Sequence, residues 1–242
     1  MRYGVIADIH ANLAAFEAVL ADLGEVDALW CLGDLVGYGP DPNECIELLR
    51  RYNHLCVMGN HDMAAIGRLD TADFNPEAAQ AISWTTSQLT ESSRLYLAAL
   101  PERLVAEPFT LVHGSPRSPI WEYITNEMRA AANFGQYSTP ACLVGHTHVP
   151  ALYVQPSPGE SVLGRVPAPG DSVEVGRARL IANPGGVGQP RDGDPRAAYA
   201  IYDTDSGILE WHRVEYPIRV TQQRMRDLGL PRRLIERLAF GW

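Results

Sequence analysis

The sequence predicts an α/β fold, because strand and helix signals alternate over its first 60 residues. Apolar runs at residues 5–7, 28–32 and 54–58 are typical of buried strands. Asn12 and Gly24 mark the ends of the first intervening helix, and Asp41, with Pro42 and Glu44 after it, marks the start of the second. A polar turn follows each strand, so the three turns should meet at one edge of the sheet.

Beyond residue 60 the sequence predicts helices first and strands afterwards. We expect a single domain over residues 1–242, in which residues 67–100 are mostly helical and could form a lid. Residues 155–177 are rich in Pro, Gly and Ser, which predicts a long loop or hairpin insertion, and residues 221–242 predict two short C-terminal helices. Further strands are predicted at residues 109–112, 141–144, 179–182 and 197–202, and a short helix within 125–133.

Composition excludes several classes of function. The net charge of −9 argues against a nucleic-acid partner, although a small phosphorylated substrate remains compatible with it. All 20 basic side chains are arginine, so no P-loop lysine or Schiff-base lysine exists. No apolar run approaches the roughly 20 residues of a membrane span, and no signal peptide is recognised, so we expect a cytoplasmic protein without a membrane partner. The four cysteines form no CxxC pair and are expected to be reduced core residues: Cys31, Cys45, Cys56 and Cys142.

Five of the seven histidines lie in polar motifs at strand ends: His10, His61, His113, His146 and His148. Imidazole is the commonest side-chain ligand of transition metals. Asp8 and His10 stand two residues apart, and so do His146 and His148, which places each pair on one side of an extended segment. Together with Asp34, Asn60 and His113 they provide seven ligands, which suits two ions roughly 3.5–4 Å apart with one shared carboxylate. Each residue taken alone could equally be a turn or capping residue.

The order of these motifs resembles the calcineurin-like metallophosphoesterase superfamily, and in particular its small bacterial and archaeal phosphodiesterase branch. The motifs are Asp8-x-His10, Gly33-Asp34, Gly59-Asn60-His61-Asp62, His113 and Gly145-His146-Thr147-His148. The resemblance implies a four-layer α/β/β/α sandwich of two mixed sheets flanked by helices. Gly186 departs from the pattern, since serine is expected after Asn183-Pro184-Gly185.

The resemblance also implies a role for each motif residue. Asp8, His10 and His148 would hold one divalent ion, Asn60, His113 and His146 the other, and Asp34 would bridge them. His61 would lie near the leaving-group oxygen, where it donates a proton or stabilises negative charge, and Asp62 would orient His61. The ligand set suits Mn, Fe, Zn, Co or Ni.

The expected reaction is hydrolysis of small phosphodiesters or nucleotides by a hydroxide that bridges the two ions. A phosphoprotein or phosphomonoester phosphatase would use the same ligands, and a non-catalytic metal-binding scaffold is a third interpretation. The filled ligand set disfavours the scaffold.

Residues outside the motifs give weaker signals. Arg191 could contact phosphate or could pair with Asp192 or Asp194 in its loop. Phe74 and Asn75 could shape a substrate pocket, whereas Trp84 is expected in the core. The C-terminal arginines predict a solvated or subunit-facing helix pair, and a homo-oligomer is left open: Arg224, Arg226, Arg232, Arg233 and Arg237.

Overall fold

The computed structural model describes residues 1–242 and contains twelve strands and eight α-helices. The strands are β1 (Arg2–Ile6), β2 (Ala28–Cys31), β3 (His54–Cys56), β4 (Arg103–Ala106), β5 (Phe109–Val112), β6 (Ala141–Leu143), β7 (Ala151–Gln155), β8 (Leu163–Arg165), β9 (Ser172–Glu174), β10 (Arg179–Asn183), β11 (Ala197–Asp203) and β12 (Ile208–Val214). The helices are α1 (Leu13–Leu23), α2 (Pro42–Leu49), α3 (Asn60–Ala65), α4 (Pro76–Gln88), α5 (Glu91–Ala98), α6 (Glu127–Ala131), α7 (Ile218–Asp227) and α8 (Arg232–Arg237).

The strands form two mixed six-stranded sheets. The first has the order β3-β2-β1-β11-β12-β9 and the second the order β4-β5-β6-β10-β7-β8. In the first sheet β1, β2 and β3 are parallel, and in the second β5, β6 and β10 are parallel. The remaining pairs are antiparallel. The predicted α/β class and its two mixed sheets with helices are confirmed.

Alternation along the strands distributes side chains among three hydrophobic layers. In β1, Val5 joins the cluster between the sheets, whereas Ile6 joins the cluster beneath α1. In β10, Leu180 also faces the other sheet, whereas Ile181 joins the cluster beneath α6. The period of two therefore buries both faces of each of these two strands.

Two locally predicted segments have partners elsewhere in the chain. Within residues 155–177, β8 pairs antiparallel with the preceding strand β7, as in a hairpin, and β9 pairs with β12, so the segment links the outer strands of the two sheets. Asp41 precedes α2 without capping it through its side chain, because that carboxylate forms an ion pair with Arg224 of α7.

The C-terminal helices pack against the body of the protein. Leu234 of α8 and Leu238, which follows that helix, join a cluster with Ala81 of α4 and with Tyr38 in the turn region after β2. α7 also contacts α1, and Thr221 donates a hydrogen bond to Asn12, the residue that caps α1. The C-terminal helices α7 and α8 therefore lie at the same edge of the sheets as the strand-end motifs. No helix has the length and apolarity needed to cross a bilayer.

Candidate metal centre

The strand-end motifs converge in one buried cluster. Asp8 and Asp34 follow β1 and β2, Asn60 begins α3, His113 follows β5, and His146 and His148 follow β6. These residues and His10 are each at most 2% exposed. The two sheets both contribute, so the cluster lies where their parallel strand ends face each other.

The first ligand group consists of Asp8, His10, Asp34 and His148. The Nε2 atoms of His10 and His148 lie 3.1 Å apart. Oδ2 of Asp34 lies 3.5 Å from Nε2 of His10, and Oδ1 of Asp8 lies 3.6 Å from Nε2 of His148.

The second ligand group consists of Asp34, His113 and His146, and Asn60 adjoins it. Nε2 of His113 lies 3.0 Å from Nδ1 of His146 and 3.0 Å from Oδ1 of Asn60. Oδ2 of Asp34 lies 3.4 Å from the same Nε2. Asp34 therefore belongs to both groups, and its Oδ2 is buried without a hydrogen-bond partner.

Backbone carbonyls fix which nitrogen of each imidazole points inward. Nδ1 of His10 lies 3.1 Å from the carbonyl oxygen of Val36, and Nδ1 of His148 lies 2.6 Å from that of Gln189. A carbonyl only accepts, so each Nδ1 carries the proton and each Nε2 presents a lone pair in the neutral ring. Two lone pairs that face each other at 3.1 Å repel unless a cation lies between them. The donor set therefore fits a bound metal ion.

The second group has the same arrangement. Nδ1 of His113 donates to the carbonyl oxygen of Leu32 at 2.9 Å, and Nε2 of His146 donates to that of Trp121 at 3.2 Å. The opposite nitrogens face each other beside Asn60. Carboxylate and imidazole donors of this kind suit first-row transition metals.

The protonation of the cluster agrees with a cation site. Burial lowers the pKa of His10, His146 and His148 well below the ordinary value, which keeps these rings neutral. Burial raises the pKa of Asp8 to about 7.

His113 and Asp34 behave differently from the other ligands. Burial alone would lower the pKa of His113, but the carboxylate of Asp34 overcomes this and raises it to about 9. Burial alone would likewise raise the pKa of Asp34, yet His113 beside it holds that pKa well below its ordinary value.

The backbone around the ligands is strained. Five candidate ligands have positive φ angles in the left-handed region: Asp8 (55°), His10 (49°), Asp34 (52°), His146 (66°) and His148 (59°). Such angles cost about 1–3 kcal/mol each for residues other than glycine, and such residues cluster at functional sites. Gly59 makes the close approach possible, because a Cβ there would lie 2.1 Å from Oδ1 of Asp34.

The comparisons with known proteins decide the family. The profile described as the calcineurin-like phosphoesterase superfamily domain matches residues 1–207. The chain belongs to this superfamily. It is 37% identical to an uncharacterised protein of Methanocaldococcus jannaschii over 98% of this chain and 97% of that one. It superimposes on the crystal structure of a metallophosphoesterase from Sphaerobacter thermophilus with a TM-score of 0.92 and 52% identity, covering 100% of this chain and 99% of that one.

A third similarity is partial. The symmetrical bis(5′-nucleosyl)-tetraphosphatase of Pectobacterium carotovorum is 32% identical over a stretch that covers 35% of this chain and 36% of that enzyme. The superfamily consists of hydrolytic phosphoesterases that use divalent metals, and the residues described above provide the ligand-like cluster in this member.

His61 of this calcineurin-like domain lies beside the ligand cluster but outside both ligand groups. Its ring lies 4.7 Å from that of His10 and 4.3 Å from that of Tyr38, and its Nδ1 is buried without a hydrogen-bond partner. Burial lowers its pKa to about 4, so the ring is neutral near pH 7. It lines the cleft that opens from the metal edge.

The expected role of Asp62 in orienting the ring of His61 needs correction. The carboxylate of Asp62 accepts hydrogen bonds from the backbone N–H groups of Val36 and Gly59, both at 3.0 Å, and forms none with His61. Asp62 therefore joins the turn after β2 to the start of α3. It positions the backbone that carries Asn60 and His61, and the ring itself is held by aromatic neighbours.

The cleft has a volume of about 270 Å³ and two guanidinium groups in its wall, those of Arg191 and Arg237. Arg191 has no carboxylate partner, because Asp192 forms an ion pair with Arg213 and Asp194 one with Arg196. Its terminal nitrogen donates to the hydroxyl of Tyr38 at 3.3 Å, and its Nε is buried without a partner. The loop-pairing alternative for Arg191 is therefore wrong.

Several cleft residues were not predicted from the sequence. Arg237 was assigned to a solvated or subunit-facing tail, yet it lines the cleft because α8 packs on Tyr38 and α4. Trp121 and Tyr123 also line the cleft. Their only sequence signal is an aromatic pair in the loop after His113 and Gly114, a position where surface loops often carry function.

The residues suggested earlier as a pocket wall separate into two groups. Phe74 and Asn75 line the cleft, and the ring of Phe74 meets His61 edge-on at 5.1 Å. Trp84 instead packs against the cluster formed by α4, α7 and α8. Gly186 also has a local explanation, since a Cβ there would lie only 3.0 Å from Cβ of His148, so a serine would crowd this ligand.

Proposed function

We propose that this protein is a hydrolase that uses two divalent metal ions to cleave small phosphodiesters or nucleotides. The observation that carries the proposal is the pair of ligand groups that share Asp34, in which the inward nitrogens of His10 and His148 face each other at 3.1 Å. The similarity to part of a bis(5′-nucleosyl)-tetraphosphatase supports nucleotides as the substrate class. Four free, buried cysteines support a reducing compartment, the cytoplasm.

Different residues would hold the two ions and orient their ligands. Asp8, His10 and His148 would hold one ion, Asn60, His113 and His146 the other, and Asp34 both. When bound, such ions neutralise phosphate oxygens and lower the pKa of a water molecule that attacks phosphorus. The carbonyl groups of Val36, Leu32, Trp121 and Gln189 keep the four imidazoles in the correct tautomer.

His61 and Arg191 act on the substrate. His61 faces the cleft and is neutral near pH 7, so it serves as a hydrogen-bond donor to the leaving oxygen as negative charge develops there. Arg191 presents its guanidinium to the phosphate oxygens, since no carboxylate competes for it. The aromatic rings of Phe74, Trp121 and Tyr123 form the wall against which an ester group packs.

The test is turnover of bis(p-nitrophenyl) phosphate and of p-nitrophenyl phosphate by protein stripped of metal and then reloaded with Mn²⁺. We expect metal-dependent cleavage that is faster for the diester. Preference for the monoester would support a phosphatase. Absence of cleavage of both compounds, with bound metal demonstrated, would contradict the proposal and support a scaffold.

The His61→Ala variant tests the role of His61 in the same assay. We expect it to retain both ions and to lose about 10²- to 10⁴-fold in kcat, the range typical of a lost acid–base group. His54→Ala is the matched control, because His54 lies elsewhere and bonds to Tyr52 and Tyr96. Equal loss in both variants, or no loss in His61→Ala, would remove His61 from the mechanism.

A further inference from the structure

A second hollow adjoins the metal-edge cleft. This distal hollow has a volume of about 400 Å³, and Asn75 and Arg237 line both it and the cleft. Its wall includes Phe240 and Trp242, whose rings stack with centroids 4.9 Å apart at an angle of 25°. These two rings are 52% and 64% exposed, which leaves aromatic surface open to a ligand.

Arg237 stands at the junction of the two spaces and forms no ion pair with an aspartate or glutamate side chain. Three neighbouring arginines of the C-terminal helices each have a carboxylate: Arg224 with Asp41, Arg232 with Glu236, and Arg233 with Glu77. Arg237 instead donates through Nε to a backbone oxygen of Trp242. Burial lowers its pKa to about 10, so the group remains charged at neutral pH, with guanidinium donors left for an anion.

The order of these groups along the surface matters. His61 and Arg191 line the cleft nearest the ligand groups, Arg237 follows, and the stacked pair of Phe240 and Trp242 lies beyond it. A guanidinium group suits phosphate oxygens, and an exposed aromatic face suits a nucleobase. One continuous surface thus offers places for a reacting phosphate, a second phosphate and an aromatic ring.

We propose that Arg237 and the Phe240–Trp242 pair form a second substrate subsite, which binds the phosphate and the base of a nucleotide arm attached to the reacting phosphate. The proposal rests on the proposed function for the reacting phosphate and adds the substrate class, which is two nucleosides joined through a phosphate chain. The distal hollow matches the size of pockets that hold small organic ligands.

The test compares two ligands that resist cleavage between their phosphorus atoms. One is the methylene-bridged analogue of diadenosine diphosphate, and the other is its half, adenosine 5′-methylphosphonate. Calorimetry with Mn²⁺-loaded protein should give a Kd at least ten-fold lower for the two-nucleoside compound. Arg237→Gln and Trp242→Ala should each weaken this compound by about 5- to 100-fold and change the Kd of the half compound by less than two-fold.

Two variants provide matched controls. Arg232→Gln makes the same charge change on the same helix, where the side chain is 88% exposed, and Tyr52→Ala removes an exposed ring near another hollow. Neither should change either Kd. Arg237→Lys should keep part of the affinity that Arg237→Gln loses. If the melting temperature of Arg237→Gln shows that this variant is unfolded, Arg237→Lys takes its place in the comparison.

The outcomes separate this proposal from the proposed function. Equal Kd values for the two ligands in the unmodified protein would overturn the second subsite. A difference between the two Kd values that is as large in Arg237→Gln and Trp242→Ala as in the unmodified protein would overturn it as well. So would a Trp242→Ala variant that changes the sedimentation coefficient and leaves both Kd values unchanged, since the pair would then be a contact between copies. Absence of bis(p-nitrophenyl) phosphate turnover alongside the expected Kd pattern would contradict the proposed function alone.

Discussion

The two ligand groups share Asp34 but differ in what surrounds them. In the first group the outward nitrogens of His10 and His148 bond to Val36 and Gln189, and both rings are almost completely buried. In the second group, His146 bonds to Trp121 and stacks on Tyr123 with ring centroids 3.7 Å apart. The second group therefore depends on the loop that also forms the cleft wall, whereas the first depends on turns close to the strands.

Under the proposed function, this difference predicts that the two positions respond differently to substitution. The first group is held by the carbonyl groups of Val36 and Gln189. The second group borders the substrate space through Trp121 and Tyr123. We therefore expect substitutions to affect the two ions unequally, except at the residue that both groups share.

Asp34→Asn should have the largest effect. The change removes the negative charge that both groups use, so both ions should bind more weakly, by more than the roughly 10- to 100-fold that loss of a residue supporting a ligand costs. The measurement is metal content after dialysis together with kcat for bis(p-nitrophenyl) phosphate. Two ions still bound tightly would show that Asp34 is not shared.

His148→Ala and His146→Ala should separate the groups. Each variant should lose one ion and keep the other, because each histidine belongs to one group only. Loss of the enclosed first ion should also lower the melting temperature more, since a ligand that binds only the folded state stabilises it. Metal analysis and thermal denaturation of both variants check this, and loss of both ions in either variant would refute independent groups.

The pH dependence of metal binding should also differ between the groups. Below pH 9 the metal-free second group carries a proton on His113, whose pKa is about 9, and an ion must displace it. In the first group His10 and His148 are already neutral and the pKa of Asp8 is about 7. Between pH 7.5 and 9 only the second ion should bind more tightly as pH rises, which calorimetry in matched buffers would measure. A parallel increase for both ions would contradict the assignment.

Tyr123→Leu should have the smallest effect and confine it to the second group. The change removes a stacked ring worth about 0.5–1.5 kcal/mol from His146, so the second ion should bind about two- to ten-fold more weakly. The control is Tyr153→Leu, because Tyr153 packs beneath α6 and makes no contact with the histidines. Equal weakening of both ions would show that Tyr123 acts through general stability.

The sequence predicted the parts of the fold that local chemistry controls. Asn12 caps α1, as its residue type and position indicated. Asp41 is the N-cap residue of α2, as predicted, but its side chain makes no capping hydrogen bond and pairs instead with Arg224, which is distant in sequence. The sequence likewise did not predict which strands β8 and β9 pair with, since their partners belong to different sheets.

The candidate site likewise has some features that the sequence predicts and others that only the tertiary structure shows. The residue types at Asp8, His10, Asp34, Asn60, His113, His146 and His148 and their spacing after strands were sufficient to group them, because parallel strand ends must meet at one edge. By itself the sequence thus predicted the candidate ligands and determined the family and the class of fold.

Only the tertiary structure decided which nitrogen of each histidine points inward, because the carbonyl groups of Leu32 and Val36, of Trp121 and of Gln189 come from three separate segments of the chain. It alone also placed Arg237 beside Arg191, since that neighbourhood arises from the packing of α8 on Tyr38 and α4. Periodicity and motif spacing describe neighbours along the chain. The walls of the cleft are made by residues that are distant in sequence and are brought together by burial of apolar surface.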